Sequence, residues 1–351
     1  ISRQMTERNH CAAWEGRFGT IEFDAVMEER RDISITVDWE NGQSEVMSGA
    51  QISKVIFDSN NPWMLSANGT IFTYEFEGII PGLLKRWYSE RKEMQAMKQK
   101  AINAGNKAEI EFWDKRQLVK KINLNSLYGA ILNPGCRFFD PRIGQSTTLT
   151  GRQIAKHMAA EVNKVATGDY NHVGKCIIYG DTDSVYFSAY PILKQDIDAG
   201  KISWTKDSVI ALYDQICDEA NKSFSKFMAD TFHCPKSRAE VIAAGREIVA
   251  ESGLYITKKR YAALVYDEEG NRKDVDGKPG KVKAMGLDLK RSDTPVFMQD
   301  FLSELLLMVL QEADEDKLLD RITEFRTEFK SRPGWEKGSP KRANKIGHYE
   351  R

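Results

Sequence analysis

Cysteine, histidine and proline are scarce in this chain of 351 residues (five, five and ten), and neither sign of charge is in excess, 51 basic side chains against 51 acidic. The cysteines (Cys11, Cys136, Cys176, Cys217, Cys234) are odd in number and show no CxxC spacing. That excludes a disulfide framework and a zinc knuckle and fits a reducing compartment. No apolar run approaches the ~18–20 residues of a membrane-spanning helix. The opening Ile1-Ser2-Arg3-Gln4 has no apolar stretch behind a basic end, so no signal peptide is expected. These absences predict a cytoplasmic protein with no membrane partner. What is present is globular: 41% hydrophobic, 10% aromatic and 29% charged residues, with length for two domains or one large one.

Zero net charge conceals sorting along the chain. Residues 21–45 are acidic, whereas residues 81–121 carry Lys85, Arg86, Arg91, Lys92, Lys98, Lys100, Lys107, Lys115, Arg116, Lys120 and Lys121 against five acids. Arg332 to Lys345 is basic again. Such sorting permits a basic cleft on a neutral protein, and phosphate affinity depends on the cleft. Solvated helix faces would give the same pattern. Both ends, Ile1 and Arg351, read as cut.

Residues 1–80 read as strands and loops. Ile33, Ile35 and Val37 alternate with polar residues before the turn pair Asn41-Gly42, and Thr70–Tyr74 follows the turn pair Asn68-Gly69. Pro81 opens a helix predicted to run to about Asn103, with Leu83, Trp87, Met94 and Met97 on its buried face. A second helix is predicted over Ala108 to Tyr128, stopped by Gly129, so the two form an antiparallel helical hairpin. A third is predicted over Thr147–Val165. Cys176–Tyr179 and Ser184–Phe187 then form a β-hairpin around Gly180-Asp181-Thr182-Asp183. Helices at Ser208–Ala229, Thr294–Glu312 and Asp316–Phe329, with strands at Val241–Glu251 and Tyr261–Tyr266, complete an α+β order.

Three patterns carry chemistry. Asp181 and Asp183, two apart in extended backbone, point to one side and could share a hard cation; Gly and Asp are also common turn residues. Gln117, Lys121, Asn125 and Tyr128 form one helical stripe that could meet a triphosphate, a base and a base pair in turn, with Arg91 on the preceding helix. Lys258-Lys259-Arg260-Tyr261 suits backbone phosphates.

Together these residues carry a resemblance. Lys121-Ile122-Asn123-Leu124-Asn125-Ser126-Leu127-Tyr128-Gly129 resembles the fingers motif K-x-x-x-N-S-x-Y-G of family B DNA polymerases, and Tyr179-Gly180-Asp181-Thr182-Asp183-Ser184 their palm motif Y-G-D-T-D-S. Lys258–Tyr261 is similar to their K-K-R-Y segment, and Met285-Gly286-Leu287 to the run after it. Order and spacing also match, and the wording around the motifs resembles the replicative polymerases of T-even-type phages from about residue 60 onward.

The resemblance implies a polymerase palm, an antiparallel sheet with packed helices, into which a helical-hairpin fingers subdomain is inserted. Its parts would be residues 1–79 (N-terminal palm), 80–133 (fingers), 134–284 (catalytic palm) and 285–351 (start of the thumb). It implies two Mg²⁺ ions held by Asp183 and, less directly, Asp181, with Glu247 as a further palm carboxylate. Arg91 and Lys121 would hold the deoxynucleoside triphosphate, while Asn125 and Tyr128 flank the nascent base pair. Lys258, Lys259, Arg260 and Tyr261 would grip the primer-template. The reaction implied is attack of a primer 3′-hydroxyl on the α-phosphate, with pyrophosphate leaving.

The family's motif D-x-x-S-L-Y-P-S, which supplies the second essential aspartate, is absent from the 351 residues. Hence the expectation that an upstream segment or chain carries it with a proofreading exonuclease, that a sliding clamp is a further partner, and that this chain alone is inactive. The family's lysine four residues after the fingers arginine is here Gln95, with Lys98, seven residues after Arg91 on the same helix face, a candidate substitute. A non-catalytic DNA-binding subunit that kept the fold is the alternative.

Overall fold

A computed structural model describes residues 34–339 apart from 40, 49, 52, 53, 56, 57 and 59. The N-terminal residues 1–33 of the expected palm and the basic stretch beyond 339 lie outside the described residues. The fold is α+β, with small antiparallel sheets among long helices. It divides into two compact units, one comprising the described residues up to Ile192 with Glu219–Ala243, the other Leu193–Asp218 with the residues from Ala244 on.

In the first unit, β1 (Ser34–Asp38) pairs antiparallel with β2 (Ser44–Ser48) across the Asn41-Gly42 turn. Likewise β3 (Trp63–Leu65) pairs with β4 (Ile71–Thr73) across Asn68-Gly69. Helices α1 (Ile79–Asn103) and α2 (Lys107–Ile131) make the helical hairpin. Pro81 sits in the first turn of α1, where its missing N–H costs nothing. Asn106 caps α2 by accepting the Glu109 N–H at 3.3 Å. Gly129 does not stop α2, which runs on to Ile131 and ends at Leu132. Met97, expected inside, is 40% exposed.

Helix α3 (Pro141–Thr167) begins six residues before the expected Thr147. Asp140 accepts the Arg142 N–H at 2.9 Å, and Pro141 takes the first helical position, a start signal of known kind. On α3, Val162 is buried. Val165 is exposed, while the polar Gln153, His157 and Asn163 are buried. His157 stacks on Phe227 with ring centroids 3.9 Å apart, and its two nitrogens bond Tyr170 Oη (2.7 Å) and Ser223 Oγ (2.8 Å). Burial, with Lys164 nearby, lowers its pKa to about 4. After α3 comes the hairpin β5 (Ile177–Asp181) and β6 (Ser184–Phe187). A core of Val37, Leu65, Ala67, Met228, Phe232 and Cys234 joins the sheets to the end of α5 (Lys206–Phe232). Helices α4 (Tyr190–Asp198) and α6 (Lys236–Ala239) complete the helices preceding the second unit's sheet.

The second unit is built on the antiparallel order β10-β8-β7, with β7 Ile248–Thr257, β8 Arg260–Glu268 and β10 Lys281–Met285; the short β9 (Asn271–Arg272) also pairs with β8. Strand β7 starts seven residues later than the expected Val241, and β8 runs past the expected Tyr266 to include Asp267 and Glu268. Asp267 is 2% exposed because Arg246 pairs with it, which compensates the buried charge. Residues Tyr261–Asp267 are all buried, so β8 is the central strand. Helices α7 (Val296–Leu310) and α8 (Glu315–Ser331) pack through Phe301 and Phe325, stacked at 3.7 Å, and a short α9 (Gly334–Lys337) follows. Among the described residues no helix is long and apolar enough to cross a membrane. The four described cysteines are free thiols.

Candidate active site

The acidic tip is a two-residue turn. Asp181 ends β5 opposite Ser184 at the start of β6, and Thr182 and Asp183 make the connection. The Asp183 N–H donates to the Asp181 carbonyl at 2.7 Å, closing a γ-turn whose central residue, Thr182, has φ of 58°. A left-handed β-branched residue is strained, and such strain concentrates at functional positions. The Ser184 hydroxyl also donates to the Asp181 carbonyl (3.1 Å), and the Thr182 hydroxyl to the Asp181 carboxylate (3.1 Å). The i, i+2 argument from extended backbone is therefore corrected: Asp183 lies in the turn, exposed, while Asp181 is half-buried at the strand end. Two carboxylates on a tight tip are hard oxygen donors of the kind magnesium takes alongside substrate phosphates. Among the described residues no three His, Cys, Asp or Glu side chains gather into a metal cluster.

The α1–α2 helical hairpin brings the cationic residues together by register. On α1, Arg91 Nε donates to Gln117 Oε1 on α2 at 3.3 Å. Gln117 Nε2 donates to Asp114 Oδ1 at 3.2 Å, and Lys98 Nζ reaches the same oxygen at 2.7 Å. The Lys98 hydrogen bond, then that of Gln117, holds the Asp114 carboxyl below its usual range. Farther along, Lys120 pairs with Glu90 and lies 5.7 Å from the Trp87 ring centre. Arg91 thus sits at the head of the stripe that continues one turn later with Lys121 and two turns later with Asn125. The Lys121 and Asn125 side chains are exposed and engage no partner among the described residues. Lys98, the candidate substitute for the lysine replaced by Gln95, is ion-paired with Asp114. Tyr128 is half-buried and donates its hydroxyl to the Gly144 carbonyl of α3 at 3.1 Å, which fixes its ring at the base of the hairpin. Gly144 must be small there, since a β-carbon would meet Leu132 Cδ2 at 1.9 Å.

In the second unit, Lys258 and Lys259 are the turn between β7 and β8, with Lys259 at φ of 63° and Arg260 beginning β8. All three cations are exposed. Tyr261 is not exposed beside them. It is 7% exposed and stacks on Tyr255, ring centres 5.6 Å apart, so its ring lies within the sheet. Opposite it on β10 stands Met285, which brings the K-K-R-Y and M-G-L segments side by side. Glu247 precedes β7 and is ion-paired with Lys283 at 2.7 Å, so a metal would have to compete with an ammonium for it. The inter-helix ties of Gln117 and Asp114 and the pairing of Glu247 with Lys283 had no signal in spacing, since each joins residues distant in sequence.

Comparison with known proteins agrees with the motifs. Residues 43–200 match the family described as DNA polymerase family B, a span containing both the α1–α2 helical hairpin and the acidic tip. The chain is similar to the DNA-directed DNA polymerase of Escherichia phage RB69, 29% identical over 254 residues, covering 69% of this chain and 27% of that protein. It is 30% identical over 251 residues to the DNA-directed DNA polymerase of Enterobacteria phage T4, covering 67% and 26% respectively. With the DNA polymerase alpha catalytic subunit of Mus musculus it shares 25% identity over 246 residues, 70% of this chain and 14% of the relative. The matched segments thus span about a quarter of the length of the two phage relatives. Motif order, the family match over residues 43–200 and these similarities make the chain similar to DNA polymerase family B, and within it to the polymerases of the T-even phages.

Proposed function

We propose that this chain supplies the palm and fingers for template-directed DNA synthesis: nucleotidyl transfer from a deoxynucleoside triphosphate to a primer 3′-hydroxyl. The observation that carries the reading is Arg91 held by Gln117 at the head of the Lys121/Asn125 stripe. That places a guanidinium and an ammonium along one helix hairpin, the arrangement a polyphosphate chain needs.

In this reading Lys121 and Arg91 bind the β- and γ-phosphates and so orient the α-phosphate. Asn125 and the ring of Tyr128 bound the space for the incoming base pair. The exposed Lys258, Lys259 and Arg260 grip backbone phosphates of the primer-template, and Tyr261 supports them from within the sheet. Asp183, with Asp181 as the lesser partner, would hold divalent magnesium, whose chemistry when bound is to favour the ionised 3′-hydroxyl and offset charge on the phosphates. Two carboxylates suffice for part of a two-ion site. The remainder would come from triphosphate oxygens and from an aspartate in a D-x-x-S-L-Y-P-S segment outside these 351 residues. Synthesis would therefore require a polypeptide bearing that motif, and the same polypeptide would carry the exonuclease.

The test is primer extension by the chain alone and with such a polypeptide added. Extension only in the mixture is expected. Efficient extension by the chain alone would overturn the division of the site. DNA binding without synthesis in any mixture would instead favour a binding subunit.

A further inference from the structure

The amide of Gln117 has one orientation open to it. Its oxygen faces the Arg91 guanidinium at 3.3 Å, and its nitrogen faces the Asp114 carboxylate at 3.2 Å. Turning the amide over would set NH₂ against a cation and oxygen against an anion, so both contacts would become repulsive. Asp114 is in turn anchored by Lys98 at 2.7 Å. The order across the hairpin is Lys98, Asp114, Gln117, Arg91, with donor and acceptor alternating at each step. Arg91 spends only its Nε–H on this chain of contacts; its four Nη–H donors meet no acceptor among the described residues. A guanidinium free to rotate would present those donors in many directions. Held at Nε, it presents them in one.

We propose that Gln117 is a positioning residue for polyphosphate recognition: it orients Arg91 and is itself oriented by the Asp114–Lys98 pair. This rests on the reading of Arg91 and Lys121 as the triphosphate site, and it adds a residue that no fingers motif quoted above contains. Lys98 then acts through the relay and not as a phosphate ligand. Gln95, one turn after Arg91, leaves the α1 side of the site with one cation, which makes the orientation of that cation matter more.

The experiment is binding of inorganic triphosphate to the full chain, measured by calorimetry for wild type, Arg91→Ala, Lys121→Ala, Gln117→Leu and the Arg91→Ala/Gln117→Leu double variant. Loss of an orienting hydrogen bond to a charged group should cost Gln117→Leu up to about tenfold in affinity. On the Arg91→Ala background the same change should cost nothing further, because Gln117 acts only through Arg91. Lys98→Met should weaken binding in the same direction, by less. Gln117→Glu retains an acceptor for Nε but faces Asp114 with like charge, so pairing it with Asp114→Asn should recover the binding that Gln117→Glu alone loses. A Gln117→Leu loss that is fully additive with Arg91→Ala would overturn the positioning role, as would unchanged affinity in Gln117→Leu while Arg91→Ala weakens binding. If neither Arg91→Ala nor Lys121→Ala alters binding, the triphosphate site itself is wrong and the proposal falls with it. Thermal unfolding of each variant separates lost binding from lost fold.

Discussion

Gly286 packs its bare α-carbon against the carbonyl oxygen of Lys259, so closely that a β-carbon would lie 2.2 Å from it. Its φ of 63° is also one that other residues adopt at a cost. The two backbones meet where β10 ends beside the turn from β7 to β8. That contact is a physical reason for a glycine after Met285 in a chain that has Lys258-Lys259 in this turn.

Gly286→Ala should accordingly displace the turn or the end of β10. A destabilisation of about 2–3 kcal/mol is expected from positive φ and steric conflict together. Urea unfolding measures it, and a change below about 0.5 kcal/mol would show that the turn yields freely.

Lys258 and Arg260 stand exposed on either side of Lys259, so they can be changed without touching its left-handed backbone. The Lys258→Gln/Arg260→Gln variant should bind duplex DNA more weakly, with a slope of log affinity against log salt shallower by about 2. Titrations at several salt concentrations check this. An unchanged slope would remove these two cations from the DNA surface.

Asp183→Asn keeps size and hydrogen bonding but takes a negative charge from the exposed tip. With a polypeptide bearing the missing motif present, kcat should fall by orders of magnitude while primer-template affinity stays close to wild type. Asp181→Asn should be milder, and Lys121→Ala should mainly raise KM for the nucleotide. Steady-state extension and DNA binding on the three variants give the comparison. Near-normal turnover in Asp183→Asn would leave the DNA-binding subunit as the better reading.

His157 makes stability depend on pH in mild acid. The unfolded chain takes up a proton at this histidine near pH 6.5, whereas the buried ring resists protonation until about pH 4. Between those values the unfolded state binds more protons, so stability present above pH 6.5 is lost as pH falls towards 4, by at most about 3 kcal/mol. His157→Gln should be less stable at pH 7 but show a smaller loss over that window in urea unfolding at stepped pH.

What could be read from residue order was whatever is local. The Asn41-Gly42 and Asn68-Gly69 turns, the helical hairpin and the acidic β-hairpin all rest on neighbours in sequence, and each is found near its expected place. The early start of α3 was also local, since Asp140-Pro141 is a cap followed by a first-turn proline, but the apolar period that begins later drew the boundary to Thr147. Gly129 misled for the opposite reason: a glycine can end a helix, yet here packing carries α2 past it. Tyr261 beside three cations looks like a nucleic-acid contact on paper. Its burial is decided by Tyr255 across the strand pair and by the alternation of a central strand, neither of which the K-K-R-Y segment contains. Of the candidate site, the residue types were legible and the pairings were not, because Arg91 to Gln117 and Glu247 to Lys283 depend on how distant elements register.

The polar ties between α1 and α2 have a consequence for how the hairpin can respond to a ligand. Lys98 to Asp114, Arg91 to Gln117 and Lys120 to Glu90 are rungs at successive levels between two rails, and the rails are closed at one end by Ala104-Gly105-Asn106. Sliding one rail against the other would break every rung at once, whereas tilting the whole ladder breaks none. In the proposed triphosphate site Arg91 and Lys121 would therefore act as the two jaws of a calliper locked at a single gauge, so that a substrate fitting one jaw would find the other already set.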